Sequence, residues 1–244
     1  MIDIHSHLLY GIDDGSRSIV ESAYIIKSLS EIGYTDIILT PHFINGSSYM
    51  STRENNLDLL DRLKVELIKH QIPVNLYLGN EIYIDSDIIK LFKEGIISSL
   101  NDSKYLLIEL PMSGENEIYY DVFLDLINMG YKVVLAHPVA YVHEDNLTDE
   151  DILEIVNDMK PDGLEANYLY VDRYDKKFNE TEKWNEFAKK HNLFVTVGSD
   201  FHNKDGLRPE IGFINTDFVL AEEVIEEIIR NITFKEILRR YWGA

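Results

Sequence analysis

A chain of 244 residues with eight histidines and no cysteine has a restricted chemical repertoire. Disulfides, thiolate metal sites and cysteine nucleophiles are excluded, so any chemistry must run on imidazole, carboxylate, hydroxyl or bound metal. His5 and His7 stand in Asp3-Ile4-His5-Ser6-His7, His42 in Thr40-Pro41-His42, His137 in Ala136-His137-Pro138, and Asp200 with His202 in Ser199-Asp200-Phe201-His202. Glu81 and Glu109 add carboxylates to the set. Imidazole suits zinc, iron and manganese, carboxylate suits manganese and magnesium, and the lack of thiolates argues against a structural zinc site. These donors exceed what one ion can use, so two or three divalent ions bridged by carboxylates are expected. Metal ions a few Å apart clamp the attacking and leaving oxygens in phosphoryl transfer and generate a nucleophile from water near neutral pH.

Taken singly, each residue has an ordinary structural explanation. A His-x-His pair is commonly a strand-edge feature, a glutamate after a strand is commonly a solvated or capping residue, and His137 could be a satisfied core imidazole. The pattern of elements is what groups them. Short β-branched runs alternate with amphipathic segments, the signature of β-α units around a parallel sheet. The seven expected strands are residues 1–5, 36–40, 74–78, 105–109, 132–136, 163–166 and 194–197. His5 and His7, His42, Glu81, Glu109, His137, and Asp200 with His202 all end or follow one of these strands. In a parallel α/β barrel such positions converge at the C-terminal face of the strands. Helices are expected at 16–32, 52–69, 117–129, 149–159, 222–230 and 234–241, with Gly33, Gly130 and Pro161 as stops. His70 and His191 fall near helix ends, where an imidazolium suits the helix dipole, and both are expected on the surface. His143 is left unassigned.

Composition narrows the partners. The chain carries 43 acidic against 23 basic side chains, a formal charge of −20, which disfavours nucleic acid as a partner. No run approaches the ~18 apolar residues that a membrane span needs. The start, Met1-Ile2-Asp3-Ile4-His5, is unlike a signal peptide, so a cytoplasmic location is expected. No linker or repeat divides the chain, and a single domain over 1–244 is expected.

The same segments, read in order, resemble the polymerase-and-histidinol-phosphatase (PHP) superfamily, and within it the manganese-dependent bacterial protein-tyrosine phosphatases of capsule and exopolysaccharide synthesis. The resemblance also takes in Asp13-Asp14-Gly15-Ser16-Arg17-Ser18, Gly79-Asn80-Glu81-Ile82-Tyr83, Leu100-Asn101-Asp102-Ser103-Lys104-Tyr105 and Ile108-Glu109. It implies a distorted (β/α)7 barrel with up to three metal ions, bound by His5, His7, Asp14, His42, Glu81, Glu109, His137, Asp200 and His202. Asp14 enters the ligand set through the resemblance alone; the residues by themselves read Asp13-Asp14-Gly15 as a turn before a helix capped by Ser16.

The departures bear on substrate. Relatives commonly carry Glu-Arg-Tyr after the third-motif histidine, where the arginine could clamp phosphate; here Ala140 takes that place. After His42 relatives often carry basic residues, and this chain has Phe43-Ile44. Arg17 and Arg208 are the remaining basic candidates for phosphate contact. The expected activity is a phosphatase in which metal-activated water attacks phosphorus, acting on the phosphorylated tail of a tyrosine kinase. The alternatives are a small-molecule phosphatase such as one for histidinol phosphate, a phosphodiesterase, or a catalytically silent metal-binding regulatory protein.

Overall fold

The computed structural model describes residues 2–111, 119–144, 146–166, 170–171, 177–178, 180–202, 224 and 227–229. Arg208 and the expected helix over 234–241 lie outside the described residues, as do most of the expected helix over 222–230 and the first residues of the one over 117–129.

In chain order the elements are β1 (Ile2–Asp3), α1 (Ile19–Glu31), β2 (Asp36–Leu39), β3 (His42–Phe43), α2 (Arg53–Lys69), β4 (Asn75–Leu78), β5 (Glu81–Tyr83), α3 (Ile88–Lys93), β6 (Tyr105–Glu109), α4 (Tyr120–Asn128), β7 (Lys132–Leu135), α5 (Pro138–His143), α6 (Asp149–Met159), β8 (Gly163–Glu165), β9 (Tyr170–Val171), β10 (Lys177–Phe178), α7 (Thr181–Lys190) and β11 (Phe194–Thr196). The strands form a three-stranded sheet ordered β1-β2-β4 and a six-stranded sheet ordered β11-β8-β7-β6-β5-β3, with every pairing in both parallel. β9 and β10 form a separate antiparallel pair. The chain crosses from the first sheet to the second twice, through Thr40-Pro41 between β2 and β3 and through Gly79-Asn80 between β4 and β5. Past β11 the chain returns beside the first segment: the His5 carbonyl accepts from Asp200 N at 2.9 Å, and His7 N donates to the Phe201 carbonyl at 2.8 Å.

Strand alternation sorts the side chains into three packed clusters. Ile37, Leu39, Leu76 and Leu78 of β2 and β4 meet Ile25, Ile26 and Leu29 of α1 and Leu60, Leu63 and Leu67 of α2. Leu106, Ile108, Val133, Leu135, Leu164 and Val195 of the longer sheet pack with Phe123, Leu126, Ile155 and Trp184 of α4, α6 and α7. The opposite faces of the same strands supply Ile4, Ile38, Tyr105, Leu107 and Val134 to a third cluster. A strand that is buried on both faces reads as a continuous apolar run, which is why β6 (Tyr-Leu-Leu-Ile-Glu) carries no polar residue until Glu109.

Several boundaries differ from the sequence reading. Helix α1 begins at Ile19, and its cap is Ser18, whose hydroxyl accepts from Glu21 N; Ser16, the expected cap, is buried in the turn before it. Leu57, at helical spacing with the buried Leu60, Leu63 and Leu67 of α2, is 38% exposed, and Asn56 is buried instead. Glu81 begins a short strand of its own rather than standing in the loop after one. His70 and His191 are the C-caps of α2 and α7, in agreement with their expected positions at helix ends. No described helix is long and apolar enough to cross a membrane.

Candidate metal centre

Eight of the nine candidate ligands converge through direct side-chain contacts, and Glu109 joins them as a neighbour of His42 and Glu81. Among the described residues three groups of side chains could hold a metal ion: His5, His7 and Glu81; His42, Glu81 and Glu109; and His7, Asp14, His42 and His202. Glu81 is the hub. Its Oε2 lies 3.4 Å from His5 Nε2, 3.2 Å from His7 Nε2 and 2.8 Å from His42 Nδ1, and its Oε1 lies 2.6 Å from His137 Nε2. Asp200 Oδ1 is 3.3 Å from both His5 Nε2 and His7 Nε2, and those two nitrogens are 3.2 Å apart. Asp14 Oδ1 approaches His42 Nε2 at 3.4 Å and His202 Nε2 at 3.7 Å.

Local backbone explains how so many polar groups reach one place. The parallel register of β3, β5 and β6 sets His42 beside Glu81 and Tyr83 beside Glu109. His137 and Asp200 follow β7 and β11 with positive φ, 25° and 53°. That conformation is uncommon for residues with a Cβ and typical of functional sites. Gly15 and Gly198 are required by close approach: a Cβ at Gly15 would strike the backbone and Cβ of His7, and one at Gly198 would strike His5 and the Glu165 carboxylate.

Two further carboxylates, not singled out as site residues from the sequence, complete the arrangement. Glu165 Oε2 is 2.9 Å from His5 Nδ1 and accepts from His137 N at 3.2 Å; Asp13 Oδ2 is 2.9 Å from His7 Nδ1 and accepts from His42 N at 3.1 Å. The signal for Glu165 was a lone carboxylate at an alternate position of an otherwise apolar strand. For Asp13 it was the doubled aspartate before Gly15. The predicted phosphate contact Arg17 lies just ahead of α1, 68% exposed at its side chain, with its guanidinium bonded to both oxygens of Glu21. Ala140 sits in the first turns of α5 and is buried. His143 pairs with Glu180 at 2.7 Å and stacks on Phe178.

The electrostatics are those of donors forced together. Burial opposes charge on His5, His7, His42 and His137, but the surrounding carboxylates outweigh it. His5 and His7 are raised well above the usual imidazole range, His42 to about 10 and His137 to about 9. Burial likewise opposes charge on Glu81, yet the neighbouring histidines, led by His5, hold it well below the ordinary carboxylate range. For Asp14 the hydrogen bond from His42 is the main cause, and its pKa falls to about 2. Glu109 goes the other way, pushed up to about 7 by burial and then by the charge of Glu81. His202 also runs against the other histidines, lowered by burial and then by the charge of His7, so imidazolium is favoured at His5, His7, His42 and His137 but not at His202.

The donor set fits divalent ions. Glu81 Oε2 and His42 Nδ1 are buried and, although only 2.8 Å apart, neither has a hydrogen-bond partner; His137 Nδ1 is also buried without one. Buried polar atoms without partners call for an explanation, and a role as metal ligands is one. The three distances among His5 Nε2, His7 Nε2 and Glu81 Oε2 run from 3.2 to 3.4 Å, and Asp200 Oδ1 lies 3.3 Å from each of the two histidine nitrogens. Atoms bound to one ion at about 2.0–2.2 Å stand roughly 2.8–3.6 Å apart, so His5, His7 and Glu81 are spaced as ligands of a common ion, with Asp200 against both histidines.

Known proteins resemble this chain in sequence and fold. The family described as capsular polysaccharide synthesis, CpsB/CapC, matches residues 1–236. CapC of Staphylococcus aureus is 39% identical over 141 residues, a match that spans 57% of this chain and 54% of CapC, about half the length of that relative. The tyrosine-protein phosphatase CpsB of Streptococcus agalactiae is 27% identical over 215 residues, 86% of this chain and 85% of CpsB. Among solved structures, one from a study of YwqE of Bacillus subtilis and CpsB of Streptococcus pneumoniae, described as metal-dependent tyrosine phosphatases, matches with a TM-score of 0.69 and 26% identity, covering 100% of this chain and 88% of that one.

Proposed function

This chain belongs to the CpsB/CapC family of capsular polysaccharide synthesis, and on that premise we propose that it is a metal-dependent protein-tyrosine phosphatase. The observation that carries the proposal is the convergence of His5, His7 and Glu81 at ligand spacing, with Asp200 3.3 Å from both histidines and His42, Asp14 and His202 alongside. Phosphotyrosine on a tyrosine kinase of polysaccharide synthesis is the proposed substrate, which places the work in the cytoplasm. Two or three manganese ions are the proposed cofactors, held by the nine ligands; the mixed imidazole and carboxylate set supports this choice. Bound there, divalent ions would neutralise phosphoryl charge and make water a nucleophile near neutral pH.

The residues themselves divide the work. Glu81, with one oxygen toward His5 and His7 and the other toward His137, is placed to bridge. Glu109 is the buried carboxyl whose proton is held most firmly, and ligation would require its release. Arg17 and Arg208 are the proposed phosphate contacts. We take residues 1–244 as one domain whose strands close into a seven-stranded barrel; the bonds from 200–201 back to 5–7 support closure.

A small phosphomonoester is the second reading, favoured by the buried Ala140 where the resembled family commonly carries a phosphate-clamping arginine. Initial rates on a phosphotyrosyl peptide, histidinol phosphate and a bis-aryl phosphodiester separate the readings. The peptide is expected to be turned over at least tenfold more efficiently. Chelation should abolish the activity and manganese restore it. Full activity after verified metal removal would end the proposal, and preference for histidinol phosphate would replace it with the second reading.

A further inference from the structure

The nine candidate ligands are not supported alike. Behind His5 stands Glu165 and behind His7 stands Asp13, each 2.9 Å from the ring Nδ1, and all four side chains are fully buried. Glu165 is held in turn by His137 N, and Asp13 by Gly15 N and His42 N. A carboxylate at Nδ1 takes that hydrogen, keeps the lone pair on Nε2 and stops the ring from turning. The two Nε2 atoms are thereby presented together, 3.2 Å apart, with Glu81 Oε2 and Asp200 Oδ1 around them. With Nδ1 committed to Asp13, His7 has one nitrogen left and can serve one of the two groups in which it stands.

At the other end of the cluster the support is weaker. Asp14 is 48% exposed at its side chain and His202 is 30% exposed. His202 Nδ1 is oriented by the main-chain carbonyl of Asp200 at 2.9 Å, with the Asp200 carboxylate farther off at 3.6 Å. His42 Nδ1 faces Glu81, which His5, His7 and His137 share. Among the described residues, neither ring therefore has a carboxylate of its own in the way His5 has Glu165 and His7 has Asp13. Water competes for an ion at an exposed position, and of the three residues there only His42 faces a buried carboxylate, Glu81, which it shares with the inner histidines.

Resting on the reading that this site holds divalent ions, we infer that it holds them in two classes. An inner position, formed by His5, His7, Glu81 and Asp200 and positioned by Glu165 and Asp13, retains its ion. An outer position, formed by Asp14, His42 and His202, exchanges its ion with solvent. Glu165 and Asp13 act through the rings they orient, so their removal changes affinity at the inner position first.

The test is calorimetric titration of the chelator-treated full chain with manganese chloride, together with metal content after gel filtration. Two classes differing by at least ~100-fold in affinity are expected. Glu165→Leu should weaken the tight class by ~10–100-fold, the usual effect of removing a carboxylate behind a metal-bound histidine. It should leave the weak class within about threefold, because no contact links Glu165 to Asp14 or His202. Asp14→Ala should remove the weak class and spare the tight one. Circular dichroism checks folding; should the leucine variant unfold, Glu165→Gln and Asp13→Asn take its place, with smaller losses of the same class. A single class of equal sites overturns the inference, as does an unchanged tight class in the folded Glu165 and Asp13 variants. A wild-type chain that binds no manganese would instead overturn the metal reading beneath it.

Discussion

Glu81 shows what a single side chain contributes here. It is completely buried, faces four imidazoles, and keeps its charge only because those rings are positive or metal-bound. Glu81→Ala is expected to lose more bound manganese per molecule than Arg17→Ala, since removal of an anion leaves cationic groups in mutual repulsion. Metal analysis of the two variants checks this, and equal metal content would refute the bridging assignment. Arg17→Ala is expected to keep its metal but lower turnover by ~10²-fold, the size typical of a lost transition-state contact. A change below about threefold would return Arg17 to its pairing with Glu21. Gly198→Ala probes packing rather than charge. Its added methyl would collide with His5 and Glu165, so a loss of about 1–3 kcal/mol in denaturant unfolding is expected, with weakened metal binding.

At the scale of elements, helices and strands have separable roles. Helix α6 carries a capping box in which the Thr148 hydroxyl accepts from Asp151 N and the Asp151 carboxylate accepts from Thr148 N. Its buried face, Ile152, Ile155, Val156 and Met159, supports the sheet from behind and holds no candidate ligand. Thr148→Ala is therefore expected to cost ~1 kcal/mol of stability while metal content and turnover stay at wild-type values. A fall in metal content would mean that α6 is coupled to the site. β6 differs, because Leu107 and Glu109 lie on one face of the same strand: the cavity left by Leu107→Ala opens beside the ligand-bearing face and should disturb both properties.

The whole molecule responds to pH through the cluster. In the metal-free chain His42 and His137 have folded-state pKa values raised to about 10 and about 9, so their contribution is complete below about 6.5 and is lost as pH rises through those values. Glu81 and Asp200 are depressed, so their contribution is present above about pH 4–5 and is lost as pH falls through their folded values. The metal-free melting temperature should therefore peak near pH 5–6.5 and decline toward pH 10. With manganese the trend between pH 6 and 8 should reverse, because ions compete with protons for the same imidazoles. Parallel pH profiles with and without metal would contradict the assignment of these histidines as ligands.

The residues by themselves determined the chemistry available to this protein: no cysteine, histidines and carboxylates at strand ends, and strands alternating with helices. Local pattern suffices for that, since apolar runs and helix stops are short-range features, and the order of the motifs recovers the family. What only the tertiary structure decided is how the ligands are grouped. Asp14 meets His42 and His202 across 28 and 188 positions of sequence, and no periodicity predicts such pairings. Glu165 lies 160 positions from His5 and reads in sequence as one acidic residue in a strand; only the fold turns it toward a ring. The start of α1 was misplaced for the related reason that Ser16 and Ser18 are equal as local caps, and the close approach of Gly15 to His7 draws the first of them inside. Propensity sets which residues can cap or coordinate, and packing selects which of them do.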